Sequence, residues 1–401
     1  MSNKLFNYFK NIELLKDVYI RFLQVLFKIF AKFPVKQNRI VFESFLGKQY
    51  SDNPRAIFEY ITDKNLNFDC YWSFDREHVD KFRKKNLKVV KRLTIKWVYY
   101  MATSKYWITN SRLPYWIPKF NRTIYIQTWH GTPLKKLGVD IENVQMPGVD
   151  TESYKQQFVH EAQKWDYLIS PNAYSTNIFR RAFAFKKNLI ESGYPRNDYL
   201  IKNNQAETIL KLKEIIGLPK EKKVILYAPT WRDNQYYQVG RYKFDIQLNL
   251  NKLRKELGDD YIILLRLHYL VSENLDLSGF EDFVFDFSNY EDIRELYLIS
   301  DLLITDYSSV FFDYANLKRP IIFFVYDIED YRDVIRGFYF NLEELAPGPL
   351  VKTNDELITS IKTIDKIKFV YQDKFDNFYK TFCYLEDGNA SERVVKEILL
   401  K

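Results

Sequence analysis

Tyr125-Ile126-Gln127-Thr128-Trp129-His130-Gly131-Thr132-Pro133-Leu134-Lys135-Lys136-Leu137-Gly138 is the stretch from which the rest of the chain can be read. Its start, with Thr123 and Ile124 before it, is β-branched and aromatic, as a buried strand requires. It then turns polar, presents a histidine, and ends in a Gly-Thr-Pro turn and a lysine pair. In an α/β sheet, ligands gather where strands end, because there the backbone leaves the packed layer and offers side chains and N–H groups together. His130 is therefore a catalytic candidate, with a hydrogen-bonded structural histidine as the alternative at this point.

Similar runs lie on both sides. Arg39–Glu43, Asp69–Phe74, Leu87–Val90 and Tyr106–Thr109 precede it, while Asp166–Ser170 and Ile190 onward follow. Strands alternating with helical stretches imply βαβ units and a parallel sheet. One such helix follows Asn53-Pro54, with Asn53 expected as its cap. The segment 200–222 is polar, punctuated by Gly217 and Pro219, and reads as a boundary. Beyond it the pattern repeats, and each apolar run ends in chemistry: Lys223–Ala228 in Pro-Thr-Trp-Arg232, Tyr261–Leu265 in Arg266-Leu-His268, Leu302–Thr305 in Asp306-Tyr-Ser-Ser309, and Ile321–Val325 in Tyr326-Asp327. The expected organisation is residues 1–34 as an amphipathic helical lead, 35–205 as a first Rossmann-like domain and 206–401 as a second.

A chain of 401 residues exceeds one small core, and 46% hydrophobic with 28% charged residues describes a folded protein, so two domains fit. The charge of +8 favours anionic partners such as phosphates or anionic lipid. Basic residues are dispersed, without a stacking motif, which argues against nucleic acid. The two cysteines, Cys70 and Cys383, lack metal or disulfide spacing, so a reducing, cytoplasmic setting and no metal are expected. In the lead, Leu15, Val18, Phe22, Val25, Leu26, Ile29 and Phe33 recur at helical spacing, with Arg21, Gln24, Lys28 and Lys32 on a polar stripe. Its uncharged runs are too short for a span of roughly 18 residues. The pattern suits a helix lying on an anionic membrane surface, or one packed on its own domain.

The strand ends point to phosphate chemistry. Thr305-Asp306-Tyr307-Ser308-Ser309 leads into a helical stretch, placing hydroxyls and unpaired N–H groups where an anion is attracted; simple serine capping is the alternative. Arg232 and Arg266 supply forks that match phosphate oxygens, and Thr230 adds a hydroxyl beside them. Of four histidines, His130 and His268 stand at strand ends in different halves, whereas His78 and His160 lie in charged helical contexts. Across a cleft, one imidazole can deprotonate a hydroxyl and the other can stabilise a departing phosphate, without a metal. No dinucleotide fingerprint, P-loop, zinc-protease motif or nucleophile elbow is present.

Gln127-Thr-Trp-His-Gly-Thr-Pro-Leu-Lys135, Tyr227-Ala-Pro-Thr-Trp-Arg232, Arg266-Leu-His268 and Thr305-Asp-Tyr-Ser-Ser-Val-Phe-Phe-Asp313 occur together with Phe42-Glu-Ser-Phe45 and Gly193-Tyr-Pro-Arg-Asn-Asp198. Over about residues 40–350 the chain thereby resembles the CDP-glycerol glycerophosphotransferase family of teichoic acid synthesis. The resemblance implies a GT-B arrangement of two Rossmann-like domains with an interdomain cleft, and peripheral, monotopic attachment to the cytoplasmic face of a bacterial plasma membrane. It implies a CDP-glycerol or CDP-ribitol donor held mainly by the second domain, and a hydroxyl acceptor on an undecaprenyl-diphosphate-linked saccharide or polyol phosphate. CMP would be released, with no cofactor. The family's two functional histidines map onto His130 and His268, His130 as base toward the acceptor and His268 at the donor pyrophosphate. Thr230, Arg232, Arg266, Asp306, Ser308 and Ser309 fall on the donor side, and Gly131, Thr132, Lys135 and Lys136 on the acceptor side. A nucleotide-sugar glycosyltransferase and a catalytically silent membrane scaffold remain competing readings. Primase and polymerase, and glycerol and ribitol donors, share these motifs.

Overall fold

In the computed structural model, which describes residues 3–144, 149–230, 232, 236–238, 241–242, 246–267 and 276–401, the apolar runs pair into two large sheets. The first contains β1 (Lys36–Glu43), β2 (Asp69–Phe74), β3 (Val89–Lys91), β4 (Ser104–Thr109), β5 (Ile124–Gln127), β6 (Tyr167–Ser170) and β7 (Asn188–Glu191). After β8 (Lys223–Tyr227) comes a small antiparallel hairpin, β9 (Tyr236–Gln238) and β10 (Arg241–Tyr242), which the sequence reading did not anticipate. The second large sheet continues with β11 (Tyr261–Leu265), β12 (Val284–Asp286), β13 (Leu302–Thr305), β14 (Ile321–Phe324) and β15 (Leu350–Val351).

Strand order decides where chemistry can occur. It runs β3-β2-β1-β4-β5-β6-β7 in the first sheet and β12-β11-β8-β13-β14-β15 in the second. Both follow the doubly wound Rossmann scheme, in which the first strand lies beside the second on one side and the fourth on the other. The registered pairs β1·β2, β1·β4, β8·β11 and β8·β13 are all parallel. The winding reverses between β1 and β4, and again between β8 and β13, so each sheet opens a crevice beyond the carboxyl ends of those two strands. Strands covered on both faces read as unbroken apolar runs, and β11, β13 and β14 are buried at every position.

By packing the chain forms two units. One comprises Met1–His130, His160–Ile169 and Lys187–Ile190; the other comprises Gly131–Val159, Ser170–Lys186 and Glu191–Lys401. The polar stretch read as a boundary contains the helix Ala206–Ile216, closed by Gly217 in the left-handed conformation, φ 80°. Leu200, Leu212 and Leu218 from this stretch are buried in the second unit's core. In the first unit, Trp72, Trp97, Trp107 and Trp165 are fully buried, and Trp72 stacks on Phe42 at 5.3 Å. Much of the aromatic surplus therefore fills cores.

The first helix, α1 (Asn3–Phe30), starts earlier than its apolar periodicity indicated. Leu23 and Phe27 are buried, and Phe27 meets Trp107 and Phe120. Leu15, Val18, Phe22, Val25, Ile29 and Phe33 are exposed at helical spacing, so the apolar arc serves two faces. No described helix is long and apolar enough to cross a membrane. The next helix, α2 (Asp52–Asp63), has Ser51 at its cap position, not Asn53. Asn53 lies inside the first turn, where its side chain turns out to serve the site. The last helix, Ala390–Ile398, is tied to the end of the Gly193–Asp198 segment, since the Asp198 carboxylate accepts from the N–H groups of Ala390 and Ser391 at 2.8 Å each.

Candidate active site

At the end of β5 the backbone cannot continue as a strand, because Trp129 adopts φ 53°, a left-handed conformation that costs a bulky residue of order 1–3 kcal/mol. Its surroundings hold it there. The Gln127 side chain accepts from the Trp129 N–H at 2.9 Å and donates to the Ser111 carbonyl at 3.2 Å. The Asn53 amide donates to the Trp129 carbonyl at 3.1 Å. Phe45, Leu46 and Asp52, on the chain leaving β1, are also left-handed without being glycine. Asn110, just past β4, accepts from the Phe45 N–H at 2.8 Å and donates to the Asp52 carboxylate. The winding-reversal point of the first sheet is thus a knot of constrained backbone.

His130 emerges from this knot exposed to solvent. Its ring stacks on Trp129 at 4.5 Å and meets the Phe45 ring edge at 5.8 Å. Nδ1 lies 2.7 Å from the Asn110 main-chain oxygen. A carbonyl only accepts, so Nδ1 carries the proton and the neutral ring holds its lone pair on Nε2, the tautomer needed to take a proton from a hydroxyl.

Past His130 the chain enters the other unit. The loop is pinned there by Tyr174, whose hydroxyl donates to the Pro133 carbonyl at 2.7 Å, by buried Leu134, and by backbone pairing with residues 337–339. Thr132 is buried. A Cβ on Gly131 would lie 2.7 Å from Ser309 Oγ, so glycine is what permits this approach. The structure therefore brings a residue read as acceptor-side, Gly131, against one read as donor-side, Ser309. Lys135 Nζ lies 5.9 Å from the Tyr331 ring centroid. Lys136 forms a 2.6 Å ion pair with Glu142, which draws the Glu142 carboxyl below its ordinary pKa through that hydrogen bond.

In the second sheet, the ends of β8 and β13 are joined by Asp306. One of its oxygens accepts from the Thr230 N–H at 2.8 Å and from the Tyr307 N–H, and the other accepts from Arg232 Nη1 at 2.9 Å. Arg232, expected as a phosphate clamp, has its donors engaged within the protein. Its Nε and Nη2 grip Asp327 at 2.7 and 2.9 Å, Nη2 also donates to the Tyr326 hydroxyl at 3.2 Å, and Nη1 donates to the Thr230 carbonyl as well as to Asp306. A guanidinium has five N–H donors, and here all five are occupied. Tyr331, Tyr307 and Tyr326 surround it at 4.9, 5.2 and 5.4 Å. Burial alone would lower its pKa, but Asp306 and Asp327 outweigh that and hold it above the ordinary value. Arg232 is the brace of the loop, and Asp327, which the sequence reading did not select, is its counterpart.

Arg266 donates through Nη1 to the carbonyls of Phe287, Ser288 and Tyr290 at 2.6–2.8 Å, and burial lowers its pKa. It forms no ion pair among the described residues, and Asp292 and Asp286 offset the cost of its burial only from a distance. The Thr230 hydroxyl is buried without a hydrogen-bond partner among the described residues. Ser308 and Ser309 are half-buried, and Ser309 makes no capping hydrogen bond to the five-residue helix Val310–Tyr314. Simple capping is thus not its use. His268 lies outside the described residues. Behind the serines, Asp313 is gripped by Arg196 at 2.8 Å and Asn197 at 3.2 Å, which ties the Gly193–Asp198 motif to this turn.

The family model for CDP-Glycerol:Poly(glycerophosphate) glycerophosphotransferase matches residues 25–400. The chain belongs to this family. It is 58% identical to a teichoic acid poly(glycerol phosphate) polymerase of Bacillus subtilis over 93% of its own length and 50% of the relative's, so it spans about half of that protein. It is 55% identical to the polymerase of the same description from Bacillus spizizenii, over 96% of this chain and 98% of that one. The solved structure of the wall teichoic acid polymerase TagF matches with a TM-score of 0.86 at 44% identity, covering 99% of this chain and 98% of that chain. The two Rossmann-like parallel sheets thus belong to a GT-B-like fold, as the sequence reading expected.

Proposed function

We propose that the protein transfers glycerol phosphate from CDP-glycerol to a terminal hydroxyl of a polyol phosphate chain carried on an undecaprenyl-linked acceptor, releasing CMP. The observation that carries this reading is the fixed tautomer of His130, one residue before a glycine packed on Ser309. In the proposed step the acceptor oxygen attacks the β-phosphorus, and its proton passes to His130 Nε2. The bond from that phosphorus to the bridging oxygen breaks, and CMP departs with the electron pair. The Thr230 hydroxyl, the Arg266 cation and the hydroxyls of Ser308 and Ser309 are the donor-phosphate contacts, with His268 assigned to the pyrophosphate. Gly131, Thr132 and Lys135 form the acceptor side, whereas Lys136 is engaged by Glu142. Glycerol is favoured over ribitol as the polyol because the family description and both relatives named above are of the glycerol phosphate type.

The exposed stripe of α1 supports a peripheral position on an anionic membrane, where a lipid-linked acceptor resides. Arg21, Lys28 and Lys32 follow that stripe on the helical wheel, as an interfacial helix requires. The deciding assay is CMP release from CDP-glycerol and CDP-ribitol with a primed lipid acceptor. Release with CDP-glycerol supports the reading; release with neither donor, from a folded preparation that binds UDP-sugars instead, replaces it with glycosyl transfer.

A further inference from the structure

At the opposite edge of the second sheet from Thr230 and Asp306, where β8, β11, β13 and β14 begin, lies a cavity of about 220 Å³. The two edges are separated by the length of β8, on the order of 13 Å of strand. Lys223, Lys318, Arg319 and Lys368 line the cavity, with Asp301 and Tyr261. The two carboxylates facing it are already matched: Asp365 pairs with Lys368 at 3.5 Å, and Asp301 faces Lys213 at 3.8 Å while accepting from the Val224 N–H. Lys223, Lys318 and Arg319 have no carboxylate partner among the described residues.

Each of these three cations is nonetheless held in place. Lys223 Nζ lies over the Tyr261 ring at 5.7 Å, and Lys318 Nζ over the Tyr379 ring at 4.6 Å. Arg319 donates to the carbonyls of Leu298 and Ser300 at 2.6 Å each and to the Asn204 side chain. Lys318 occupies a left-handed position, φ 54°, where glycine or asparagine is the unstrained choice. The position is the left-handed cap that ends the turn Ala315–Leu317.

The geometry points to a second anion site on this edge, which takes the phosphate of a polyol phosphodiester. Such a site is separate from the donor-binding strand ends, and its size suits one polyol phosphate unit. On the proposed transferase reading, on which this assignment of the ligand rests, it would hold a segment of the growing chain away from the reacting terminus.

The test uses the full chain and the variants K223Q/K318Q and K318G; the second removes a cation while relieving the backbone strain, so a folding defect is not confounded with loss of charge. The probes are a glycerol phosphate oligomer too short to occupy both sites at once and inorganic phosphate, titrated calorimetrically. CMP release from a one-unit acceptor and product length are measured in parallel. The expected result is two oligomer equivalents on the unaltered chain and one on either variant, with initial CMP release within twofold and at least threefold shorter product. Unchanged stoichiometry and product length in both variants overturn the site. If inorganic phosphate alone displaces the second equivalent at low millimolar concentration, the chain assignment is overturned and a free-phosphate site stands in its place. Failure of CMP release with CDP-glycerol overturns the transferase reading, and is separable because oligomer stoichiometry is read without turnover.

Discussion

His130 Nδ1 and the main-chain oxygen of Asn110 are 2.7 Å apart, so a backbone atom that no side-chain substitution removes fixes which nitrogen of the ring is basic. His130→Asn keeps a polar group of similar breadth but removes the acceptor for the hydroxyl proton. CMP release should fall by about 10²–10⁴-fold, the usual worth of a positioned general base, while the melting temperature changes little because the ring is exposed. Stopped or continuous CMP assays beside thermal melts check this. A loss under tenfold would assign the ring to a structural task.

Arg232 and Asp327 give a different signature. A phosphate clamp, when removed, weakens donor binding and leaves the fold intact. Here Arg232 is 2% exposed and holds two carboxylates, so Asp327→Asn or Arg232→Lys leaves buried charge poorly matched. Unfolding in urea should show a loss of about 3–5 kcal/mol. Wild-type stability with a raised KM for CDP-glycerol would restore the clamp.

Gly131 and Ser309 are coupled through space. Gly131→Ala introduces a Cβ 2.7 Å from Ser309 Oγ and 3.2 Å from its Cβ, an overpacking expected to cost about 1–3 kcal/mol. Ser309→Ala removes the nearer atom. The double variant should therefore be more stable than the sum of the single changes predicts, by at least 0.5 kcal/mol in a thermodynamic cycle. Strict additivity would mean the loop relaxes away from the serine.

Glu386 predicts a pH dependence. It is buried beside the Gly193–Asp198 motif, accepting from the Tyr194 N–H at 3.0 Å and Asn197 at 3.1 Å, and burial pushes its carboxyl up to about 8. The folded protein thus holds a proton that the unfolded chain releases near the ordinary glutamate value of 4.5. Its contribution to stability is greatest in acid, declines as pH rises from that value toward 8, and is level above it, with a slope approaching ~1.4 kcal/mol per pH unit. Glu386→Gln abolishes this decline. Urea midpoints of the variant and parent should diverge between pH 5 and 8.5, with the variant the more stable at the alkaline end; parallel curves would place the proton elsewhere.

The exposed face of α1 can be separated from its packed face. Leu23 and Phe27 are buried, so deleting the helix would damage the first unit's core. Phe22→Ser, Val25→Ser and Ile29→Ser alter only exposed positions. Each removes roughly 1.5 kcal/mol or more of possible burial, about tenfold in partition to vesicles containing phosphatidylglycerol. Sedimentation with such vesicles reads the effect, and binding unchanged in the triple variant would move the membrane contact off this helix.

Most of the architecture was legible in the sequence because it rests on local periodicity. The apolar runs at Asp69–Phe74 and Leu302–Thr305 are strands at the residues read. What was not legible depends on partners distant in sequence. Arg232 looked like a clamp because nothing in Pro-Thr-Trp-Arg shows that Asp327, 95 residues on, occupies its fork. Asn53 looked like a helix cap, yet its amide is turned to a carbonyl 76 residues away. β15 has two residues and β9–β10 form a short hairpin, too brief for periodicity to register.

The shared strand order of the two sheets has a consequence for how such proteins diversify. The same winding occurs twice in one polypeptide, and the candidate site residues lie in short stretches past the last paired residues of β5 in one sheet and of β8, β11 and β13 in the other. Natural variation can edit those stretches while the paired strands beneath them stay unchanged. Such loops are open to directed evolution by grafting one strand end at a time onto an unaltered sheet.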